Sequence, residues 1–513
     1  MIKSYQNPII RGMHPDPSVV RVEDTYYLAN STFEYYPCVT VITSKDLLNW
    51  QTMGGVAKLP AQADLRKSKS NEGIFAANIR YHNGYFYIIT TNFAEFKTFI
   101  IRGKLNPDGI IEWEKSRVEI NVPGIDPDVY FENDRTYVQF TGYIDDKGTK
   151  AIRQVEIDLA TGEILDGPRI LTYGTGGRDV EGPHIFKKDG WYYLLVAEGG
   201  TGEGHMITIF RSKELWGSYE SAPTNPIFTN RDHANEPIQN VGHGNLFTDS
   251  NGNWWLVCLG TRPANVGFKQ ITNLGRETLL YPVEWENGWP VINNGVPTEE
   301  VNLVDFSKHA AALDNKQKVT EFIDDFNEDK LRPEWLTLRD ALGNNLTIND
   351  SCLILRGNDL TISDLGTAGF IGLRQTEHEE VFEVKINDKK SNLNAGSFGI
   401  ASLIDVENHA AIMIRKDNHG FDVYRDQQIA DIKLNEKIGH LNKMPVSFKL
   451  INTKETKTFS VDDGEKEVSF TTNAIHLSNQ AIAALNTGDI EGIYARNGAI
   501  MVVDKVKRKG TNL

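Results

Sequence analysis

The chain has 513 residues, of which 40% are hydrophobic, and a formal net charge of −15 at pH 7. This length is too great for a single hydrophobic core and predicts two or more domains. The acidic balance argues against a nucleic-acid ligand, because phosphate binding requires clustered Lys and Arg. No apolar run reaches the roughly 18 residues of a membrane helix, so we expect no membrane association.

The N-terminal residues and the cysteines indicate the compartment. Met1–Gln6 contains no apolar signal core, so we expect a cytoplasmic protein. Cys38, Cys258 and Cys352 are far apart and odd in number. This usage is typical of buried, reduced thiols rather than of a disulfide framework or a zinc site.

One short pattern recurs five times before residue 300: a polar turn, an apolar strand, a second turn and an aromatic strand. Aligned on the aromatic strands to within one residue, the copies open at Asp16, Ala76, Asp126, Glu181 and His243. The openings lie 50 to 62 residues apart, and a four-stranded propeller blade needs about 40 to 50 residues or more. We therefore predict an all-β fold that begins with a five-bladed β-propeller over residues 1–303.

The pattern changes after the fifth repeat. Residues 304–320 are polar and alanine-rich, and we expect a linker there that can form a helical turn. Strand signals then resume without the repeat; Val381–Ile386, for example, alternates with the period of a half-buried strand. We predict a C-terminal β-sandwich over residues 321–513.

The propeller prediction brings three carboxylates together. The first strand of each blade lies nearest the axis, so Asp16, Asp126, Glu181 and His243 should meet at one mouth of the channel. Inverting hydrolysis of a glycosidic bond needs one ionised carboxylate to activate water and one protonated carboxyl to protonate the leaving oxygen. A third carboxylate would raise the pKa of the acid by repulsion between like charges. The alternative is that Asp in these Asp-Pro turns only caps the backbone, but the equivalent repeat positions favour a shared site.

These segments resemble glycoside hydrolase family 43 over nearly the whole chain. The resemblance implies that Asp16 is the general base, that Asp126 modulates the pKa of the acid, and that Glu181 is the general acid. The three segments that carry these roles, in that order, are His14–Ser18, Ile125–Pro127 and Val180–His184.

Three further segments resemble sugar-binding motifs of the same family. The resemblance implies that Arg276 reaches the reacting sugar, that Phe33 packs against it, and that His243 lies beneath the site. A histidine at this position often ligates calcium, so we expect one structural calcium ion in the channel, held by His243 and largely by water. Alternatives remain: Arg276 in a surface ion pair, Phe33 in a surface aromatic cluster, and His243 as a core residue.

The C-terminal region also resembles the family, through Phe322–Arg339 and Gly372–Gln375, which are similar to the concanavalin-like β-sandwich of its exo-acting members. The resemblance implies that the sandwich packs on the propeller and helps to close the pocket. The sequence departs from the family pattern in the second repeat, where Phe75–Asn78 replaces the usual Trp-Ala-Pro. Ala76, which has no functional side chain, therefore stands at the first position of this repeat. The resemblance implies that this change affects the side of the site that holds the leaving group.

The resemblance implies an exo-glycosidase that acts on pentose-containing oligosaccharides. In the second repeat, the residues Ile79–His82 and Thr90–Asn92 are more similar to those of the α-L-arabinofuranosidases of the family. We therefore expect an α-L-arabinofuranosidase, and β-D-xylosidase is the alternative. A non-catalytic sugar-binding propeller would not need a paired acid and base. A retaining fructan hydrolase would show opening and acid motifs that this sequence lacks. We also expect a homo-oligomer and no organic cofactor.

Overall fold

The computed structural model describes residues 2–313, 317, 321–479 and 481–511. It is built almost entirely from antiparallel strands, in two parts, as the repeat and the later strand signals predict. In the described chain, no helix is long and apolar enough to cross a membrane.

The first part is a five-bladed propeller. Its strands in chain order are β1 (Ser4–Gln6), β2 (Ser18–Val22), β3 (Thr25–Asn30), β4 (Tyr35–Tyr36), β5 (Cys38–Ser44), β6 (Gln51–Ala57), β7 (Asn78–His82), β8 (Tyr85–Asn92), β9 (Lys97–Leu105), β10 (Ile111–Trp113), β11 (Val118–Ile120), β12 (Ile125–Glu132), β13 (Arg135–Tyr143), β14 (Lys150–Ile157), β15 (Ile164–Thr172), β16 (Glu181–Lys188), β17 (Trp191–Glu198), β18 (Met206–Ser212), β19 (Glu220–Ser221), β20 (Phe228–Thr229), β21 (Gln239–Thr248), β22 (Trp254–Thr261), β23 (Ala264–Val266), β24 (Lys269–Ile271), β25 (Glu277–Glu286), β26 (Trp289–Ile292) and β27 (Glu300–Asn302). The blades begin with the inner strands β2, β7, β12, β16 and β21.

The second part is a β-sandwich of two large sheets. After α1 (Ser307–Ala312), its strands are β28 (Phe322–Asp324), β29 (Leu336–Leu338), β30 (Leu346–Asn349), β31 (Cys352–Arg356), β32 (Phe370–Arg374), β33 (Glu380–Ile386), β34 (Ser397–Asp405), β35 (Asn408–Lys416), β36 (Phe421–Ile429), β37 (Ile432–Leu441), β38 (Ser447–Asn452), β39 (Thr456–Asp462), β40 (Glu467–Asn473), β41 (Ile490–Arg496) and β42 (Ile500–Gly510). Short 3₁₀ turns occur at Asn293–Gly295, Gly343–Asn345 and Ala474–Leu477. The alternation predicted in β33 is confirmed, because Phe382, Val384 and Ile386 are buried in the sandwich core.

The predicted linker is described only in part, because residues 314–316 and 318–320 lie outside the described residues. In the described portion, α1 packs on the fifth blade: Ala310 and Leu313 belong to the same core as Trp255. His309 Nε2 lies 2.9 Å from the carbonyl oxygen of Trp254. The three cysteines are buried free thiols, which confirms that prediction.

A ring of polar side chains connects the five inner strands around the axis. Each blade contributes one buried residue: Ser18, Asn78, Asp128, His184 and Asn245. Between the first and second blades, the Ile79 amide donates a hydrogen bond to Ser18 Oγ over 3.1 Å. Between the second and third, Asn78 Nδ2 donates to the Pro127 carbonyl over 2.7 Å.

The other three blades complete the ring. His184 Nδ1 lies 3.5 Å from Asp128 Oδ2 and 3.2 Å from Asn245 Nδ2. Asn245 Oδ1 then accepts a hydrogen bond of 3.1 Å from the amide of Val19, in the first blade. Since an unpaired polar group in the interior costs about 1–3 kcal/mol, these contacts between blades favour one register for all five strands.

The residues two positions before the ring residues form the mouth of the channel: Asp16, Ala76, Asp126, Gly182 and His243. Glu181 therefore lies one position earlier than the equivalent residues, within the tolerance of the sequence alignment. A β-bulge interrupts pairing at the start of β12, β16 and β21. Left-handed backbone angles occur at Asp16 (φ 52°), Asp126 (φ 52°) and His243 (φ 47°). At Asp126 and His243 the bulges turn the side chains out of the blade sheets and towards the axis.

The sandwich is joined to the propeller through strand pairing and buried side chains. β4, which connects two strands of the first blade, pairs with β29 at the edge of one sandwich sheet. Tyr35 in β4 is fully buried in a core that also contains Met13 and Phe370. Tyr35 is thus a residue of the interface between propeller and sandwich. Arg374 Nε also donates to the Met13 carbonyl over 2.7 Å.

The polar ring leads to a stability prediction. Asn245→Ala removes the acceptor for the buried Val19 amide, so we expect the free energy of unfolding to fall by about 2 kcal/mol. Urea denaturation measures this change, with Asn265→Ala, an exposed asparagine of the same blade, as the control within about 0.5 kcal/mol of wild type. Equal effects of the two substitutions would contradict a structural role for the ring.

Candidate active site

The six residues predicted from the sequence line one pocket at the mouth of the propeller channel: Asp16, Phe33, Asp126, Glu181, His243 and Arg276. They come from four of the five blades and from the loop that precedes β25. The structure therefore confirms that these residues converge, while their chemical roles stay predictions. Ala76 and the ring of Phe75 also line the pocket, so the second blade contributes an apolar wall in place of a functional group.

Asp16 is held by its neighbours as a buried carboxylate, 5% exposed. Asn30 in β3 donates hydrogen bonds to the carbonyl oxygens of His14 (3.0 Å) and Pro15 (2.8 Å), which fixes the turn that carries it. Arg276 Nη1 donates to Asp16 Oδ1 over 3.0 Å, and Ser31 Oγ donates to Oδ2.

These contacts determine the charge of Asp16. Burial raises its pKa, but the Arg276 guanidinium, His243 and the Ser31 hydroxyl together outweigh this effect. The pKa of Asp16 therefore lies below its ordinary value, so the group is ionised at neutral pH. An ionised carboxylate is the form that can accept a proton from water.

Glu181 and Asp126 have pKa values shifted in the opposite direction. Burial, and then the charge of Asp126, raise the pKa of Glu181 to about 8, although Lys150 opposes the shift. Burial also raises the pKa of Asp126, with His243 opposing it and Asp16 adding to it. Glu181 is accordingly protonated near neutral pH and can act as an acid. The protons on such a closely coupled pair belong to the pair.

A lysine and its partners form the rim beside Glu181. Lys150 Nζ in β14 lies 2.8 Å from Asp179 Oδ1, and Arg178 Nε lies 2.6 Å from the other oxygen of Asp179. Lys150 stabilises negative charge on Glu181 and Asp126, so it limits how far their pKa values rise. Lys150 could not be predicted from the sequence, because nothing in β14 marks it as a site residue. Arg178 and Asp179 directly precede the segment that carries Glu181, and this position could have identified them as residues of the pocket rim.

His243 lies between the carboxylates and against the backbone of the fourth blade. Its Nδ1 is 3.6 Å from Asp16 Oδ1. Burial lowers the pKa of the ring, only partly offset by Asp16 and Asp126, so His243 is neutral. A Cβ at Gly182 would lie 3.0 Å from the imidazole Nε2, and Gly182 has φ 59°, so glycine meets both requirements there.

The predicted calcium ion can be compared with the donors around His243. Within the part of the chain that the structure describes, no three Asp, Glu, His or Cys ligand atoms converge in the channel. Calcium prefers six to eight oxygen ligands. The residues around His243 therefore fit a calcium ion only if water molecules supply most of its ligands, as expected from the sequence.

Arg276 connects the two domains at the pocket. Nη1 donates to Asp16 Oδ1 and lies 3.2 Å from Thr201 Oγ1, while Nη2 donates to the carbonyl of Asn486 over 3.2 Å. Its guanidinium carbon is 5.5 Å from the centre of the Phe33 ring. Arg276 Nε is buried and has no hydrogen-bond partner among the described residues.

Asn486 comes from a sandwich loop that rests on the segment carrying Arg276. A Cβ at Gly275 would lie 2.9 Å from the Cα of Gly488, so the two backbones are in contact. The amide of Asp489 donates to the Asn273 carbonyl over 2.7 Å. The sequence offered no signal for Asn486, since its place at the pocket depends on how the domains pack.

The fold and the pocket define a class of protein. The propeller brings together an ionised carboxylate, a protonated carboxyl group and a negative charge that raises the pKa of that carboxyl group. This set of groups is suited to the hydrolysis of glycosidic bonds. Residues 5–290 match the family model of glycosyl hydrolases family 43. Residues 323–500 match the beta xylosidase C-terminal concanavalin A-like domain.

Individual relatives agree over nearly the full chain. A non-reducing end alpha-L-arabinofuranosidase of Bacteroides ovatus is 33% identical, with 96% of this chain and 91% of the relative covered. A xylosidase/arabinosidase of Butyrivibrio fibrisolvens is 37% identical, with 81% of each chain covered. The solved structure of Bacteroides ovatus xyloglucan PUL GH43B superposes with a TM-score of 0.88 at 30% identity, covering 99% of this chain and 100% of that one. The chain belongs to family 43 of the glycosyl hydrolases and is a glycoside hydrolase.

The pocket geometry predicts how Asp126 affects the pH profile. Asp126→Asn removes a negative charge that raises the pKa of Glu181, so Glu181 should ionise at lower pH. We expect the basic limb of the kcat/KM profile to move down in pH, as measured with a chromogenic glycoside.

Asp134→Asn is the matched control, because Asp134 is exposed at the hairpin of the same blade and its profile should follow wild type. An unchanged basic limb in Asp126→Asn would mean that Asp126 only positions the sugar or holds its turn.

Proposed function

We propose that the protein is an inverting, exo-acting glycosidase that releases terminal non-reducing α-L-arabinofuranose from arabino- and arabinoxylo-oligosaccharides. The observation that carries the proposal is the meeting of Asp16, Asp126 and Glu181 in one pocket. The pKa is lowered at Asp16 and raised at Glu181, which agrees with a base and an acid. The arabinofuranosidase name of the Bacteroides ovatus relative supports the choice of sugar.

The proposed reaction is a single displacement. Asp16 accepts a proton from a water molecule, whose oxygen forms a bond to the anomeric carbon on the face opposite the leaving group. The bond from that carbon to the glycosidic oxygen breaks, and Glu181 transfers its proton to the departing oxygen. Asp126 keeps Glu181 protonated until this step. The two carboxyl groups then exchange protons with solvent, which restores the starting state.

The remaining side chains of the pocket fit a neutral pentose. Arg276 lines the pocket with a fixed guanidinium, whose N–H groups can donate to a sugar hydroxyl. Phe33 supplies an apolar surface for the C–H face of the ring. Asn486 borders one side of the pocket, which favours a chain end over the interior of a polysaccharide.

β-D-Xylosidase activity is the second candidate. The relative from Butyrivibrio fibrisolvens carries both activities in its name, xylosidase/arabinosidase. The two pentoses place similar hydroxyl groups around the reacting carbon, so one pocket can accept both.

Three further features are part of the proposal. The protein acts in the cytoplasm, in keeping with its buried free thiols. It forms a homo-oligomer. It holds one structural calcium ion in the channel through His243 and water, so prolonged chelation should lower the thermal stability of the propeller.

The catalytic assignment predicts the effect of two substitutions. Asp16→Asn and Glu181→Gln should each lower kcat by at least about 10²–10⁴-fold, the contribution of one general acid or base. Both variants should keep the wild-type circular dichroism spectrum. The control Glu163→Gln changes an exposed carboxylate on the same propeller and should retain wild-type turnover. Near-normal turnover in either test variant would show that its role is wrongly assigned.

The single displacement also predicts stereochemistry and substrate ranking. Proton NMR during the first minutes should show the released pentose with inverted anomeric configuration. The wild-type enzyme should have a higher kcat/KM for 4-nitrophenyl α-L-arabinofuranoside than for 4-nitrophenyl β-D-xylopyranoside. Retention would exclude Asp16 as a base acting on water, and the reverse ranking would establish the xylosidase alternative.

A further inference from the structure

Arg374, the last residue of strand β32 in the sandwich, reaches into the first blade of the propeller. Its side chain is buried. Nε donates a hydrogen bond of 2.7 Å to the carbonyl oxygen of Met13, and Nη2 donates one of 3.0 Å to Thr40 Oγ1. Met13 stands three residues before Asp16, and Thr40 lies in β5. A side chain of the sandwich therefore holds the segment that leads to a carboxylate of the pocket.

The guanidinium of Arg374 is buried without a carboxylate partner among the described residues. Its acceptors are neutral oxygen atoms, whereas Arg262, which also lies between the domains, pairs with Glu277 and Glu377. Burial and the charge of Arg508 lower the pKa of Arg374 to about 10, so the group is still charged at neutral pH. An unpaired buried charge is unfavourable, and a neutral side chain of similar length would fill the same space at lower cost. Stability of the fold alone therefore does not account for an arginine at this position.

The segment that leads to Asp16 is fixed at three consecutive residues. The amides of Gly12 and His14 donate hydrogen bonds of 2.7 and 2.9 Å to the residues at the start of β25. Between them, the Met13 carbonyl accepts its hydrogen bond from Arg374. Because the backbone is held at each of these residues, the contact with the sandwich restricts the direction in which the chain continues to the carboxylate.

The end of β32 also contacts the loop that binds Arg276. The amide of Gln375 donates to the carbonyl of Asp489 over 2.9 Å. This carbonyl lies three residues after Asn486, whose own carbonyl accepts from Arg276 Nη2. On its other side, the Gln375 carbonyl lies against Gly12, where a Cβ would be 2.6 Å from the oxygen. The strand end thus lies between the turn of the carboxylate and the loop of its arginine partner, and it contacts both.

We propose that Arg374 is a positioning residue for the reaction: its guanidinium holds the Met13 carbonyl so that Asp16 stays aligned with the water molecule that it activates. This inference rests on the proposed function, because it takes Asp16 as the base. Among the described residues, Arg374 is not one of those that line the pocket, so it acts through the backbone of Met13. Displacing a reacting group by about 1 Å can lower turnover by about 10²-fold, even when the altered residue lies outside the site.

The test compares Arg374→Met and Arg374→Lys with wild type in kcat and KM for the 4-nitrophenyl pentoside that wild type prefers. Methionine is a neutral side chain of similar length that cannot donate to the Met13 carbonyl. For Arg374→Met, kcat should fall by about 30- to 100-fold while KM stays within about 3-fold of wild type, because Arg374 does not touch the sugar. Lysine keeps the charge and one donor, so kcat should recover to within about 10-fold of wild type.

Arg496→Met is the matched control, because Arg496 is a largely buried arginine of the sandwich that pairs with Asp426 at 3.0 Å. Its kcat and KM should stay within about 2-fold of wild type. Circular dichroism spectra check that each variant is folded. If Arg374→Met does not fold, Arg374→Gln replaces it as a smaller neutral variant, and the same loss of kcat is expected.

A folded Arg374→Met variant with kcat within about 3-fold of wild type would overturn the positioning role. A rise in KM as large as the loss of kcat would overturn it as well, since that result indicates a general distortion of the pocket. If both neutral variants unfold while Arg374→Lys matches wild type, the role of Arg374 is structural and the inference is wrong. No turnover by wild type on any pentoside would instead overturn the proposed function, and the role of Arg374 with it.

Discussion

The ring of polar contacts among the five inner strands is the constraint from which the site follows. Ser18, Asn78, Asp128, His184 and Asn245 are buried where the blades meet, and contacts between neighbouring blades join them. Forming these contacts together favours a single register for the strands. The residues two positions earlier then meet at the axis, and they include Asp16, Asp126 and His243. Stability of the propeller and convergence of the carboxylates are therefore two consequences of one arrangement.

The pocket creates two protonation states from chemically similar groups. Asp16 and Glu181 are both removed from bulk water, and burial alone would raise both pKa values. Arg276 and Ser31 reverse this effect at Asp16, while Asp126 adds to it at Glu181. Lys150 opposes the shift at Glu181. The difference in protonation between Asp16 and Glu181 thus depends on the neighbours of each carboxyl group.

The sandwich contributes directly to the pocket as well as covering the propeller. Its loop at Gly488 touches the backbone beside Gly275, and the carbonyl of Asn486 orients the guanidinium of Arg276. Because the same guanidinium lowers the pKa of Asp16, the position of the sandwich affects the ionisation of Asp16. The two parts of the chain consequently form one functional unit.

The sequence alone determined the number of blades, the sandwich and the meeting of Asp16, Asp126, Glu181 and His243, because repeat spacing and turn chemistry are local properties that recur along the chain. Phe33 and Arg276 were predicted only from the resemblance to family 43. Asp16, Asp126 and His243 could be found since they occupy equivalent positions in successive repeats, and Glu181 lay one residue away. Tertiary structure alone decided that Tyr35 joins the domain interface and that Lys150 and Asn486 border the pocket. These residues belong to no repeat or motif, and their neighbours are distant in sequence. Their roles arise only when blades, loops and sandwich are packed against one another, which is also when burial and neighbouring charges set the protonation of each carboxyl group.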